Sequence, residues 1–259
     1  MSLVKTEFDD GVLTVTLCDE ENRNALSVGL TSELARALDE AELDSEVRAI
    51  VLTNSGRVFC AGADLSERSS NEGGDSPTKP VDPLEIFGRF RKSSKPYIGK
   101  IAGHCVAGGM GIAAAMDISI ATEEAKFGFT EVRIGVAPAI ISVLCLPKMR
   151  HSEASEAFLR GNRFSASEAV RMGLINAAVP AEELDSAVEE VLSDIKAGGP
   201  EAIAAAKELT LRVPYMEIDE AFSWTSKLSA ELFKGEEAQE GMRAYLEKRS
   251  PSWIKKQCD

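Results

Sequence analysis

An α/β fold followed by a helical C-terminal region is what the sequence predicts, on three observations. Short β-branched, apolar runs alternate with stretches of helical spacing through the first half. From Pro200 to Lys248 nearly every residue suits a helix. The 259 residues are 44% hydrophobic, enough for a sizeable core and too apolar for wholesale disorder.

Val4–Phe8 and Val12–Leu17 read as two strands, joined by the turn pair Asp10-Gly11. Ser27 caps a helix whose apolar positions Leu30, Leu34, Leu38 and Ala41 recur at helical spacing. Ala49–Thr53, Tyr97–Ile101 and Ile118–Ala121 are short buried strands, with an apolar helical stretch between the last two. Ser66–Asp82 is rich in Ser, Gly, Pro and charge and reads as a surface loop, either a lid or a tolerated insertion. Ser165-Ala166-Ser167-Glu168 forms a capping box for a helix that stops near Gly173, and Leu174–Val179 reads as a last strand. Glu182–Lys196 is a helix. Gly198-Gly199-Pro200 then marks a boundary, so that residues 1–197 and 198–259 form two regions. Breaks near Pro214 and Gly235 divide the C-terminal helices, whose apolar positions Phe222, Leu228, Leu232 and Phe233 need a partner surface.

With 29 Lys+Arg against 42 Asp+Glu, the net charge is −13. Such an acidic chain is a poor partner for nucleic acid or an anionic membrane, which need clustered cations. No apolar run approaches the ~20 residues of a bilayer span, and Met1–Lys5 has no signal-peptide pattern. The five cysteines are odd in number and nowhere spaced C-x-x-C, and neither His104 nor His151 has a ligand partner at i+4. Reduced thiols in a cytoplasmic protein without a structural metal fit that pattern.

Chemistry is expected in three segments. Phe59–Leu65 and Ala102–Gly111 are glycine-containing, and the second leads from a strand into a helix whose first N–H groups suit a phosphate or an oxyanion. Plain helix–strand packing explains those glycines as well, and the spacing is not G-x-G-x-x-G. Glu131 sits among apolar neighbours, either as an acid/base raised by burial or as a surface partner of Arg133. His104 is a catalytic base or a structural histidine. No G-x-S-x-G elbow supports nucleophilic hydrolysis.

Taken in order, Arg23-Asn24-Ala25-Leu26, Phe59–Leu65, Ala102–Asp117, Phe127–Pro138, Leu159–Gly161 with Phe164–Ala169 and Gly173–Ile175, and Gly241–Arg249 resemble the crotonase superfamily of enoyl-CoA hydratases and isomerases. The resemblance covers nearly the whole chain. It implies a spiral core of ββα repeats over residues 1–197 and a helical trimerisation region over 198–259, assembling as a homotrimer or a dimer of trimers. It implies an acyl-CoA thioester substrate, with CoA as part of the substrate and no separate cofactor. The oxyanion donors would be the N–H groups of Ala61 and Gly108. Arg23, Ala25, Ala63, Asp64, Leu65, Tyr245 and Lys248 match CoA-contacting positions, although Tyr245 also suits a trimer-packing ring and Lys248 a solvated helix end.

One departure bears on the reaction. Hydratases of this family generally carry two catalytic glutamates; the second matches Glu131, whereas Gly111 stands at the first. The expected activity is a hydratase working through a thioester enolate with Glu131 alone. The alternatives are an isomerase moving the double bond of a 3-enoyl-CoA, which needs one base, and a non-catalytic CoA-binding protein. Gly111→Glu is expected to raise hydration if the site has room. The Ala139-Ile140-Ile141-Ser142 segment departs from a glycine-rich run usual in the family and reshapes the pocket in a direction that the sequence leaves open.

Overall fold

Val4–Asp9 (β1) and Val12–Leu17 (β2) form an antiparallel hairpin, and both turn residues, Asp10 and Gly11, adopt positive φ. This is a computed structural model, and the structure describes residues 2–69 and 83–254. Ser27 caps Val28–Leu43 (α1), its Oγ accepting the Leu30 N–H at 3.2 Å, and Leu30, Leu34, Leu38 and Ala41 face the core.

Three turns of one repeat follow. Ala49–Asn54 (β3) leads to Val58–Cys60 (β4), then Leu65–Ser69 (α2) and Pro83–Lys92 (α3). Tyr97–Ile101 (β5) leads to His104–Val106 (β6) and Gly108–Ala115 (α4). Ile118–Thr122 (β7) leads to Lys126–Gly128 (β8), a 3₁₀ turn over Thr130–Ile134, and Ala139–Cys145 (α5). Each turn places its first strand in a large sheet and its second in a small one. The result is a spiral of ββα units.

His151–Arg160 (α6), Phe164–Ser165 (β9), Ala166–Met172 (α7) and Ala177–Val179 (β10) complete the core. The large sheet runs β1-β2-β3-β5-β7-β10 and the small one β4-β6-β8-β9. The last strand is thus shorter than expected, because Leu174 and Ile175 pack into the core instead. The capping box at Ser165–Glu168 forms as expected. The expected loop over Ser66–Asp82 is corrected at its start, where Ser66–Ser69 continue α2; residues 70–82 lie outside the described residues.

β3 is buried along its whole length, and its alternation divides two cores. Ile50 and Leu52 face the main core, whereas Ala49 and Val51 face Leu184, Val188 and Leu192 of the next helix, Leu184–Ala197 (α8). Pro200–Arg212 (α9), Ile218–Lys234 (α10) and Glu236–Glu247 (α11) form the C-terminal region. α11 stitches back through Glu237, whose carboxylate accepts the Glu201 and Ala202 N–H groups at 2.9 Å and so caps α9. No residue of α10 is buried, and Phe222 and Phe233 remain 68% and 61% exposed. Among the described residues, nothing covers that apolar face.

Lys207 pins α9 to the core. Its Nζ lies 2.8 Å from Asp117 Oδ2 and 2.8 Å from the Lys95 carbonyl, over the Tyr97 ring. Lys207→Met leaves the Asp117 carboxylate, among the described residues, with the Tyr97 N–H and the more distant Lys148 charge, so a loss of about 3 kcal/mol is expected by chemical denaturation. A midpoint unchanged from wild type would show that the pair only balances its own desolvation.

Among the described residues, no helix is long and apolar enough to cross a membrane. Cys18, Cys60, Cys105 and Cys145 are unpaired, and burial pushes the Cys60 thiol up to about 12, far from reactive.

Candidate active site

β4, β6 and β8 lie side by side and parallel, so the chain leaves three adjacent strand ends in one direction. Those exits carry Ala61–Ala63, Ala107–Gly108 and Phe129–Glu131. The carboxyl ends of parallel strands are where α/β proteins gather their sites. All three segments singled out in the sequence meet there.

The first two exits press together. Gly62 has φ +88°, and a Cβ built on it would lie 2.7 Å from the Ala107 Cβ and 2.8 Å from the Gly108 N, so only glycine fits. Ala107 is held at φ +49°, ψ −125°, a costly conformation for alanine, with its own N–H donated to the Gly128 carbonyl at 2.9 Å. That strained turn starts α4 and leaves Gly108 at its first position, where a backbone N–H has no partner in the helix.

The expected donor pair is corrected at one member. The Ala61 N–H donates to the Arg23 carbonyl at 3.2 Å and is therefore occupied. The Ala63 N–H carries no hydrogen bond among the described residues, and its nitrogen is 3.6 Å from a Cβ built on Gly108. Ala63 and Gly108 are therefore neighbouring residues whose N–H groups have no partner among the described residues.

Glu131 stands in the 3₁₀ turn after β8. One carboxylate oxygen, Oε2, is buried without a hydrogen-bond partner. Burial raises its pKa above the usual carboxylate range, its own backbone N–H opposing in part. The alternative of a Glu131–Arg133 surface pair is overturned, because Arg133 turns away to the carbonyls of Gly161 and Arg160, at 3.2 and 3.1 Å. Arg133 thereby anchors the Glu131 turn to the C-terminal end of α6, where a cation is favoured. Phe129 packs beneath against Phe158 and Phe164, with ring centroids 4.2 and 6.3 Å away. Neither anchor was visible in the sequence, since both partners come from α6 and β9.

Gly111 lies one turn below Gly108 on the same face of α4. A Cβ there would meet Ile141 Cγ2 at 2.5 Å and Phe87 Cε1 at 3.1 Å. The room on which activation by Gly111→Glu depends is absent. The altered Ala139–Ser142 segment puts Ile141 into that space.

The remaining candidates divide. Ala25 is buried, and the Leu26 N–H donates to the Gly62 carbonyl at 2.7 Å, so Arg23–Leu26 runs beside the Ala61–Ala63 exit. Asp64 is mostly spent on structure: its carboxylate accepts from Asn22 Nδ2 at 2.8 Å and from the Ser66 Oγ and N–H at the start of α2, bonds that hold its pKa low. Leu65 is exposed. Tyr245 and Lys248 lie exposed at the end of α11, and no hydrogen bond or ion pair among the described residues brings either to the three strand exits. His104 belongs to the second kind of reading. Its Nδ1 accepts the Lys126 N–H at 3.2 Å, and desolvation with the nearby Arg163, Arg57 and Lys126 charges lowers its pKa, which suits a neutral structural ring.

The spiral of ββα turns, with a glycine-bearing loop after each of two strands and Glu131 after the third, is the architecture of the crotonase superfamily. The crystal structure of a Mycobacterium smegmatis enoyl-CoA hydratase has the same fold, with a TM-score of 0.88 at 29% identity over 98% of this chain and 99% of that one. The chain belongs to the enoyl-CoA hydratase/isomerase family, whose model matches residues 7–256. It is 32% identical to enoyl-CoA hydratase EchA19 of Mycobacterium tuberculosis, over 93% of this chain and 92% of that one. It is 31% identical to a short-chain-enoyl-CoA hydratase of Clostridium acetobutylicum, over 94% of each.

Proposed function

We propose that the protein adds water reversibly to a 2-enoyl-CoA thioester, using Glu131 as its only carboxylate. The observation that carries this reading is the unpartnered, buried Glu131 oxygen at the strand exits that also present the free Ala63 and Gly108 N–H groups. The thioester oxygen accepts from both donors, which stabilise the negative charge it gains as an enolate. Glu131 takes a proton from water as the water oxygen bonds to C3, and returns that proton to C2. Atoms and charge balance, and the carboxylate is regenerated. Full-length similarity to proteins named as hydratases supports water addition. Arg23, Ala25 and Leu65 border the donor loop and are assigned to the CoA moiety.

A second reading has its own support. Among the described residues, Ile141 and Phe87 surround Gly111 and no second carboxylate stands there to orient water. Proton transfer by Glu131 between C2 and C4 of a 3-enoyl-CoA would need none. The two readings separate by ultraviolet absorbance: conjugation is lost when water adds to a 2-enoyl-CoA and gained when a 3-enoyl-CoA isomerises. Activity on the second substrate alone would replace hydratase by isomerase.

In either reading the base must be ionised. With its pKa raised by burial, Glu131 should put the acid limb of kcat/KM above the ordinary carboxylate value, with activity falling as pH drops through it. An acid limb at or below 4.5 would assign the proton transfer to another group.

The uncovered face of α10 supports self-association through the C-terminal helices. Sedimentation equilibrium should then return a multiple of the 27.8 kDa chain mass.

A further inference from the structure

The apolar surroundings of Gly111 come from two helices that carry neither Ala63, Gly108 nor Glu131. Ile141 on α5 and Phe87 on α3 are each about 5% exposed or less, and both point at the missing side chain of Gly111. Cys145, one turn after Ile141, donates its thiol to the Met110 carbonyl at 3.6 Å, so the same face of α5 lies along α4 over a full turn. The Cys145 thiol pKa is raised first by burial and second by the Glu131 charge. α5 can come this close because residue 111 has no side chain. The absent carboxylate and the inserted isoleucine are thus two sides of one packing arrangement.

We propose that Gly111 and Ile141 are a mutually exclusive pair, and that Ile141 is the specificity-determining residue which keeps this site to one carboxylate. It rests on the enoyl-CoA reading above. Ile141 fills the volume through which a side chain at position 111 would reach the acyl group, three residues (about 4.5 Å along the axis) from the Gly108 N–H. It closes that side of the enolate to water and leaves Glu131 as the proton carrier. Replacing Gly111 alone forces the isoleucine out; replacing both removes the 2.5 Å clash and leaves the 3.1 Å approaches of the residue 141 Cβ and Phe87 Cε1.

The test compares Gly111→Ala, Gly111→Glu and Ile141→Ala with the two corresponding double variants. Each Gly111 substitution alone should lower the Tm by about 3–10 °C, the consequence of overpacking in a chain of this size. Adding Ile141→Ala should return much of that loss, although Ile141→Ala alone also lowers the Tm, because neighbours in contact do not act additively. The Gly111→Glu/Ile141→Ala protein should also hydrate crotonyl-CoA about tenfold or more faster than Gly111→Glu alone, as a second proton-handling group begins to contribute. Losses in Tm that add, or Gly111 variants that melt like wild type, would overturn the pairing. A stable Gly111→Glu/Ile141→Ala protein no faster than Gly111→Glu would overturn the specificity role. Gly111→Ala keeps the packing test decisive if the glutamate variants do not fold. Failure of the enoyl-CoA reading itself would appear separately, as a wild-type protein that binds no acyl-CoA, with the melting comparison still deciding the pair.

Discussion

Glu131→Gln is expected to lower kcat by about 10³–10⁴-fold while making the protein more stable at neutral pH. The first effect follows because the amide keeps the shape of the side chain and cannot carry a proton. The second follows from the sign of the pKa shift. Burial raises the Glu131 pKa above its unfolded value, so the folded state disfavours the charged form. Below pH 4.5 both states hold a neutral carboxyl and the carboxylate's penalty is absent. As pH rises through the raised pKa, the native state loses stability relative to the unfolded chain, and the loss persists at neutral pH. Glutamine removes it. Melting curves of both proteins from pH 4 to 8 should diverge in favour of the variant, and acyl-CoA binding should survive. A less stable variant at neutral pH would show that the Glu131 charge is compensated in the fold. Unchanged turnover would remove Glu131 from the chemistry.

Gly62→Ala is expected to cost about 10²-fold in kcat with a smaller effect on the binding of the CoA portion. The residue adopts φ +88°, and its Cβ would press on the Ala107 Cβ and the Gly108 nitrogen. Either the strained Ala107 turn relaxes or the Ala61–Ala63 loop lifts away, and both displace one N–H from its partner. One lost oxyanion donor corresponds to about 3–4 kcal/mol of transition-state stabilisation. The readout is the split between kcat and the Kd of a saturated acyl-CoA. A fall confined to Kd would place the loop in CoA binding rather than in stabilising developing charge.

The parts legible in the sequence were those written in local chemistry. The large sheet's strands show as β-branched runs, α1 and α7 announce themselves through Ser27 and the Ser165–Glu168 box, and Pro200 opens α9. The small sheet was not legible. Its strands are two or three residues long, too short for any alternation, and exist only by pairing with one another. At the site, Gly108 and Glu131 were named from family resemblance, while Ala61 was named as a donor and Ala63 as a CoA contact, and the Ala61 N–H is taken for a tertiary reason. Which N–H in a tight loop is free depends on what lies beside it, and the Arg23 carbonyl takes the Ala61 proton from a distant part of the chain. Ile141 was noticed only as a departure; its meaning required α5 to be laid against α4.

The central claim is that the Ala63 and Gly108 N–H groups stabilise a thioester enolate whose proton Glu131 carries. It is tested most directly with butyryl-CoA, which cannot be hydrated or isomerised, by following its C2 hydrogens in D₂O by NMR. Exchange of deuterium into C2 with the wild-type protein, abolished in Glu131→Gln and strongly slowed in Gly62→Ala, is the predicted result. Exchange that persists in Glu131→Gln would contradict the assignment of the proton to Glu131. No exchange with a wild-type protein that binds butyryl-CoA would contradict the enolate itself.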